Sequence, residues 1–128
     1  FYERIESEIK HAKELNIPLS LVLFTIKNYK RFHDRFGAIE FDKLFNFSAE
    51  IFKSKLSIGD FSGRIDRNKF LLVLPGKEKR YSVMLANTIK NEILEKFNMS
   101  DFKLLITSSN SVFPEEGMDL FSILEVLY

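Results

Sequence analysis

Apolar residues recur along this chain at two spacings, and each spacing predicts a different kind of element. Repeats of three or four residues are typical of helices with one buried face, whereas short unbroken apolar runs are typical of buried strands. Gly37 should interrupt a helix, and Asn28 should cap one. The predicted elements are, in order, a helix with Ile5, Ile9, Ala12 and Leu15 on its buried face, a strand at Leu19–Ile26, helices at Tyr29–Phe36 and Phe41–Lys55, strands at Asp60–Ile65 and Phe70–Leu74, a helix at Lys79–Phe97, a strand at Phe102–Val112 and a helix at Asp119–Tyr128.

The order of these elements predicts an α+β fold. Its central part, βααββαβ, is expected to close into a four-stranded, largely antiparallel sheet with its helices on one face and further helices flanking it. This ferredoxin-like arrangement is also the nucleotide-cyclase palm. Because polymerase palms, nucleotide cyclases and RNA-recognition domains share it, the fold alone does not select a function.

Length and composition narrow the choice. The chain has 128 residues, enough for one domain, and contains no cysteine, which excludes disulfides and Cys-based zinc sites. A formal net charge of +1 gives no general attraction to nucleic acid or to an anionic membrane. The apolar runs are too short to insert into a membrane as a spanning helix. The sequence begins at Phe1, so we expect a single domain over residues 1–128 from a larger protein.

The fourteen phenylalanines suggest base stacking as one use of the sheet. Most of them, such as Phe45, Phe52 and Phe97, fall at the helical spacing of core residues. The strand that contains Phe70 is otherwise aliphatic, and the surrounding charge is close to neutral. We therefore expect no binding to nucleic acid.

The segment from Pro18 to Gly37 carries the most specific motif in the chain. Its residues are Pro18-Leu19-Ser20-Leu21, followed by Thr25-Ile26-Lys27-Asn28-Tyr29-Lys30-Arg31-Phe32-His33-Asp34-Arg35-Phe36-Gly37. Further along, Asp66-Arg67-Asn68-Lys69-Phe70 occupies the tight turn of a predicted hairpin. Over nearly its whole length the sequence resembles the GGDEF family, the diguanylate cyclases.

The resemblance implies nucleotidyl transfer with two Mg²⁺ ions, which prefer carboxylate ligands, but the matching positions here are not acidic. Thr25 and Lys27 stand where the family has aspartates at the end of the first strand, Asn68 and Lys69 stand at the acidic positions of the hairpin, and Asp66 and Arg67 replace two turn glycines. The four lost acids change the local charge by about six units, from roughly −4 to +2. We expect no metal, no cofactor and no catalytic residue, although Asp and Asn tolerate left-handed turns and should preserve the hairpin.

Two further sets of residues follow from the resemblance. Lys30 matches a phosphate-approaching lysine, and His33 and Asp42 match the positions that read guanine in the family. Ser57 and Asp60 match the ends of the Arg-x-x-Asp inhibitory site, where Ser57 replaces the arginine that would contact cyclic di-GMP. Asp60 alone would begin a strand or cap a turn, and most of the loop-rim cations are expected to be solvated.

These observations favour a catalytically inactive, regulatory or dimerising domain in a bacterial signalling protein. Its expected partners are another protein, a flanking sensor or output domain, or a second copy, and its expected location is the cytoplasm. The alternative is a sensor that binds GTP or cyclic di-GMP without turnover, with Lys69 or Arg67 replacing metal charge. An active cyclase with an unusual metal site is the third hypothesis.

Overall fold

A computed structural model describes residues 1–97 and 99–114, and the elements there follow the predicted order. They are α1 (Tyr2–Leu15), β1 (Leu19–Ile26), α2 (Tyr29–Lys55), β2 (Phe61–Asp66), β3 (Lys69–Pro75), α3 (Lys79–Lys96) and β4 (Ile106–Phe113). The predicted helix at Asp119–Tyr128 lies outside the described residues. No helix within the described ranges has both the length and the apolar character needed to cross a membrane.

The four strands form one sheet in the order β2-β3-β1-β4, and each neighbouring pair is antiparallel. This order confirms the ferredoxin-like prediction. The two central strands, β1 and β3, are buried almost throughout, as their near-continuous apolar sequences predict. The edge strands are more polar, with alternating exposure along β2.

Helices cover both faces of the sheet. Side chains of β1 alternate between two apolar clusters, because successive residues of a strand point to opposite faces. Val22 and Phe24 pack in the cluster that contains residues of α2 and α3, whereas Leu21 and Leu23 pack in the cluster of α1. The expectation of helices on one face therefore holds for the two internal helices, and α1 is the flanking helix on the other face.

Gly37 breaks α2 into two halves, as predicted. Its backbone has φ 87° and ψ 174°, a conformation that is strained for residues with a Cβ. The break separates a first half that begins at Tyr29 from a second half that ends at Lys55. Because the chain changes direction at Gly37, the two halves are not coaxial, and side chains from the two sides of the break can lie next to each other.

Three details differ from the prediction. Asn28 is the residue before α2, but its side chain makes no capping hydrogen bond. Instead, the side-chain Nδ2 of Asn28 donates to the Lys103 carbonyl at 2.8 Å, and its Oδ1 accepts from the Leu105 backbone amide at 2.9 Å. The fourth strand begins at Ile106 rather than Phe102, because the last residue of β1, Ile26, lies opposite Ile106. Leu15, predicted to be buried, is 57% exposed at the end of α1.

Candidate functional site

The β2–β3 turn is fastened to the end of β1, where the resemblance places the metal ions. Lys69 pairs with Thr25 in the sheet, and both residues are half-buried. The Ile26 amide donates to the Asn68 carbonyl at 2.9 Å, and the Asn68 side-chain amide donates to the Ile26 carbonyl at 2.9 Å. Two hydrogen bonds between neutral groups therefore join Asn68, an acidic position of the family's hairpin, to Ile26, which lies between the two β1-end positions that are acidic in the family.

Residues of the turn itself hold its shape. The Asp66 carboxylate accepts from the Arg67 amide at 2.8 Å, and the Arg64 guanidinium donates to the carbonyls of Asp66 and Arg67. A register shift lies between Arg64 and Asp66, which is the mark of a bulge. Among the described residues only Asn16 has a positive φ without being glycine, so the hairpin survives without the left-handed geometry expected of its Asp or Asn.

The arrangement offers little to a divalent cation. Within residues 1–97 and 99–114, no group of three or more His, Cys, Asp or Glu side chains is placed to hold a metal ion. Lys27 is exposed just beyond β1, and its amide donates to the Leu105 carbonyl at 2.8 Å. The end of the sheet thus presents amide and hydroxyl groups together with lysines.

A cavity of about 290 Å³ lies beside this turn, and we call it the α2 cavity. It brings together three residues that the sequence had singled out: Lys30 and His33 on the first half of α2, and Arg67 on the β2–β3 turn. Its other lining residues are Tyr29, Asp34 and Phe41. Tyr29, Asp34 and Phe41 were not among the predicted site residues.

The other guanine-position residue lies elsewhere. Asp42 is exposed and does not line the α2 cavity. It directly follows Phe41, and successive residues on a helix point about 100° apart, so only one of the two faces His33 across the Gly37 break. The rings of His33 and Phe41 meet edge to face, with centroids 4.9 Å apart.

Asp60 is withdrawn from the surface, unlike a ligand-binding residue. Its side chain is 1% exposed; one carboxylate oxygen accepts from the Ser57 amide at 2.9 Å, and the other lies 3.7 Å from the Lys77 ammonium. The Ser57 carbonyl in turn accepts from the Asp60 amide at 3.0 Å. Asp60 therefore closes the turn before β2, and Lys77, which the sequence analysis did not single out, covers it.

Comparison with known sequences identifies the family of this domain. The family described as diguanylate cyclase, GGDEF domain, matches residues 1–116. A diguanylate cyclase of Vibrio cholerae is 33% identical over 84 residues, which are 66% of this chain and 26% of that protein. The diguanylate cyclase DgcP of Pseudomonas aeruginosa is 27% identical over 116 residues, or 90% of this chain and 17% of that protein. The chain thus spans about a quarter or less of the length of these two relatives.

Solved structures give the same result. The active GGEEF domain of a diguanylate cyclase from Vibrio cholerae superimposes with a TM-score of 0.88 at 25% identity, covering 97% of this chain and 80% of that one. The GGDEF domain of DgcB from Caulobacter crescentus, solved in complex with c-di-GMP, gives 0.86 at 15% identity, with 98% and 74% covered. Sequence match, fold and hairpin position together show that this chain belongs to the GGDEF domain family of diguanylate cyclases.

Proposed function

We propose that this GGDEF domain does not synthesise cyclic di-GMP and instead acts as a regulatory or dimerising domain within a larger bacterial signalling protein in the cytoplasm. One observation carries the proposal. The Asn68 amide is bonded to the Ile26 carbonyl, and Lys69 lies opposite Thr25, at the place where the family would gather carboxylates. A site without a carboxylate ligand and with a lysine at its centre repels Mg²⁺.

The loss of acidic groups is spread over both strands that meet at this place. At the end of β1 the acidic positions are replaced by Thr25 and Lys27, and on the hairpin by Asn68 and Lys69. A single replacement would weaken a metal site, but four replacements remove its ligands from both sides. The fold that remains is intact, which suits a domain that is kept for its surface and its flanking connections.

Restoring the acids tests this explanation. The variant Thr25→Asp, Asn68→Asp, Lys69→Glu is expected to bind Mn²⁺ and to bind GTP more tightly in Mg²⁺ than in EDTA, whereas the unaltered chain is expected to bind no Mn²⁺ and to gain no GTP affinity from Mg²⁺. The physical reason is that the variant returns three carboxylates to the point where β1 and the hairpin meet. Electron paramagnetic resonance detects the bound Mn²⁺, and calorimetry with GTP in Mg²⁺ or in EDTA measures the binding of the nucleotide.

A matched control shows whether metal binding needs carboxylates at this site or follows from the change in net charge alone. The variant Ser7→Asp, Lys10→Glu, Asn87→Asp makes the same kinds of substitution at exposed positions of α1 and α3. It should bind metal no better than the unaltered chain. Strong Mg²⁺ binding by the unaltered chain would contradict the proposal, and failure of the acidic variant would mean that the site is closed by more than its charges.

A second function is favoured by the α2 cavity. Lys30, His33 and Arg67 converge there from two elements, as a site for a guanine nucleotide held without turnover would require. A ligand at 100 times its dissociation constant stabilises a fold by about 2.7 kcal/mol. A rise in melting temperature with GTP in the presence of EDTA would support this function, and the absence of any rise would leave a domain that acts through protein contacts.

A further inference from the structure

A cavity of about 480 Å³ lies between the first half of α2 and the segment that leads into β4, and we call it the Lys103 cleft. Arg31 and Arg35 line it from α2, on a helix face turned about 100° from the face that carries Lys30. Among the described residues, the Lys103 cleft and the α2 cavity have no lining residue in common. The cleft is therefore separate from the candidate nucleotide site. Its remaining lining residues are Asn28, Asp101, Phe102, Lys103 and Leu105.

Hydrogen bonds fix the two sides of the cleft to each other. The Asn28 side chain donates to the Lys103 carbonyl at 2.8 Å and accepts from the Leu105 amide at 2.9 Å. The Lys27 amide donates to the Leu105 carbonyl at 2.8 Å. The backbone of the segment is thus held against the start of α2, and a partner that binds here does not have to order it.

Positive charge dominates the lining. Arg31, Arg35 and Lys103 are opposed by a single carboxylate, that of Asp101, which pairs with Arg35. Arg31 and Lys103 are exposed, and neither forms an ion pair with another described residue. Because the whole chain carries a formal net charge of only +1, this cleft is a local concentration of cations, which attracts an anionic partner.

The cleft also exposes apolar surface beside these cations. The Leu105 side chain is 44% exposed, and Phe102 is half-buried with its ring centroid 5.3 Å from that of Phe36. An aliphatic side chain such as Leu105 offers a nucleic-acid base no stacking surface, whereas it suits an apolar side chain of a peptide. Carboxylates that alternate with an apolar residue therefore match the cleft better than a polyphosphate does.

From these contacts we propose that the Lys103 cleft binds an acidic segment of a partner protein. Carboxylates of the segment pair with Arg31 and Lys103, and an apolar side chain between them packs on Leu105. The inference rests on the proposed regulatory function, to which it adds the chemistry of the partner.

A titration of the ¹⁵N-labelled chain with the capped peptide Glu-Glu-Leu-Glu-Glu, followed by NMR, tests the inference. We expect a dissociation constant of about 1 mM or below and shifts centred on the amides of Arg31, Lys103 and Leu105. Binding should weaken as salt is added, because exposed ion pairs are screened. The neutral peptide Gln-Gln-Leu-Gln-Gln should not bind, and Glu-Glu-Ser-Glu-Glu should bind more weakly than the leucine peptide.

Single substitutions at exposed positions locate the peptide. Arg31→Gln and Lys103→Gln should each weaken it by about twofold to fivefold, as expected for exposed ion pairs. Leu105→Ser should remove the preference for leucine over serine in the peptide. Lys13→Gln, which deletes an equally exposed cation on α1, should change neither affinity nor preference.

Four results would overturn the inference. No shifts at about 5 mM peptide would refute the acidic partner while leaving the proposal of an inactive domain untouched. Equal binding of the neutral peptide, or shifts centred on the α2 cavity, would refute the pairing with Arg31 and Lys103. Tighter binding of a single-stranded DNA oligonucleotide at the same amides would assign the cleft to nucleic acid instead. Equal losses in Lys13→Gln and Lys103→Gln would mean attraction by net charge alone.

Discussion

Lys77→Met is expected to destabilise the fold by about 3–5 kcal/mol, because it leaves the buried Asp60 carboxylate without its charge partner. The Asp60 side chain is 1% exposed, and its Oδ1 atom has no hydrogen bond within the described structure. The Lys77 ammonium, 3.7 Å away, is its compensating charge. The Lys77 carbonyl, which accepts from the Ser20 hydroxyl at 2.6 Å, is unaffected by the substitution. Urea unfolding followed by circular dichroism measures the loss.

Substitution of the other member of the pair, Asp60, should destabilise the fold less than Lys77→Met does. Asp60→Ala removes the bond to the Ser57 amide but leaves Lys77, whose side chain is 26% exposed, free to turn toward water. We expect a loss of about 1–2 kcal/mol for Asp60→Ala. The double variant should be more stable than Lys77→Met alone, since no buried charge remains. Equal costs for the two single variants, or costs that simply add, would contradict this description of the pair.

Phe32→Ala is the second change with a large expected effect. Phe32 is fully buried on the first half of α2, and its ring centroid lies 4.9 Å from that of Phe36, 6.1 Å from that of Phe97 and 5.8 Å from that of Phe102. Its truncation leaves a cavity among these rings and should reduce the free energy of unfolding by about 3–5 kcal/mol. The shift of the urea midpoint at unchanged slope measures this loss.

A matched truncation nearby shows whether burial is the cause. Phe36 lies one helical turn further and is only half-buried, so Phe36→Ala should cost clearly less than Phe32→Ala. Similar losses for the two variants would mean that Phe32 does not occupy the centre of this cluster. Because Phe32 anchors the helix that carries Lys30 and His33, any nucleotide affinity should fall with it.

Much of the fold follows from local sequence, and the exceptions have physical reasons. The apolar runs of β1 and β3 and the break at Gly37 are local signals, so their elements were predicted within a residue or two. The start of β4 depends on where β1 ends, which only the assembled sheet decides. Asn28 looks like a helix cap in sequence, but its side chain bonds to a segment 75 or more residues away.

The candidate site likewise contains residues that helical spacing predicts and residues that only the tertiary structure brings in. Lys30 and His33 are three residues apart on a helix, so their shared face could be predicted. Arg67 joins them only through the packing of the hairpin against β1. Whether Phe41 or its neighbour Asp42 faces the cavity depends on the angle at Gly37, and no spacing rule provides that angle. The pairing of Asp60 with Lys77 likewise needs the tertiary structure.

An assay for synthesis of cyclic di-GMP is the direct test of whether this domain is catalytically inactive. The purified chain is incubated with GTP and either Mg²⁺ or Mn²⁺, over a range of protein concentrations, and the nucleotides are separated by chromatography with mass detection. The related active GGEEF domain from Vibrio cholerae serves as the positive control. If the domain is catalytically inactive, the GTP remains unconsumed and no cyclic di-GMP appears above the protein-free blank. Cyclic di-GMP that accumulates with time and with protein concentration would contradict it.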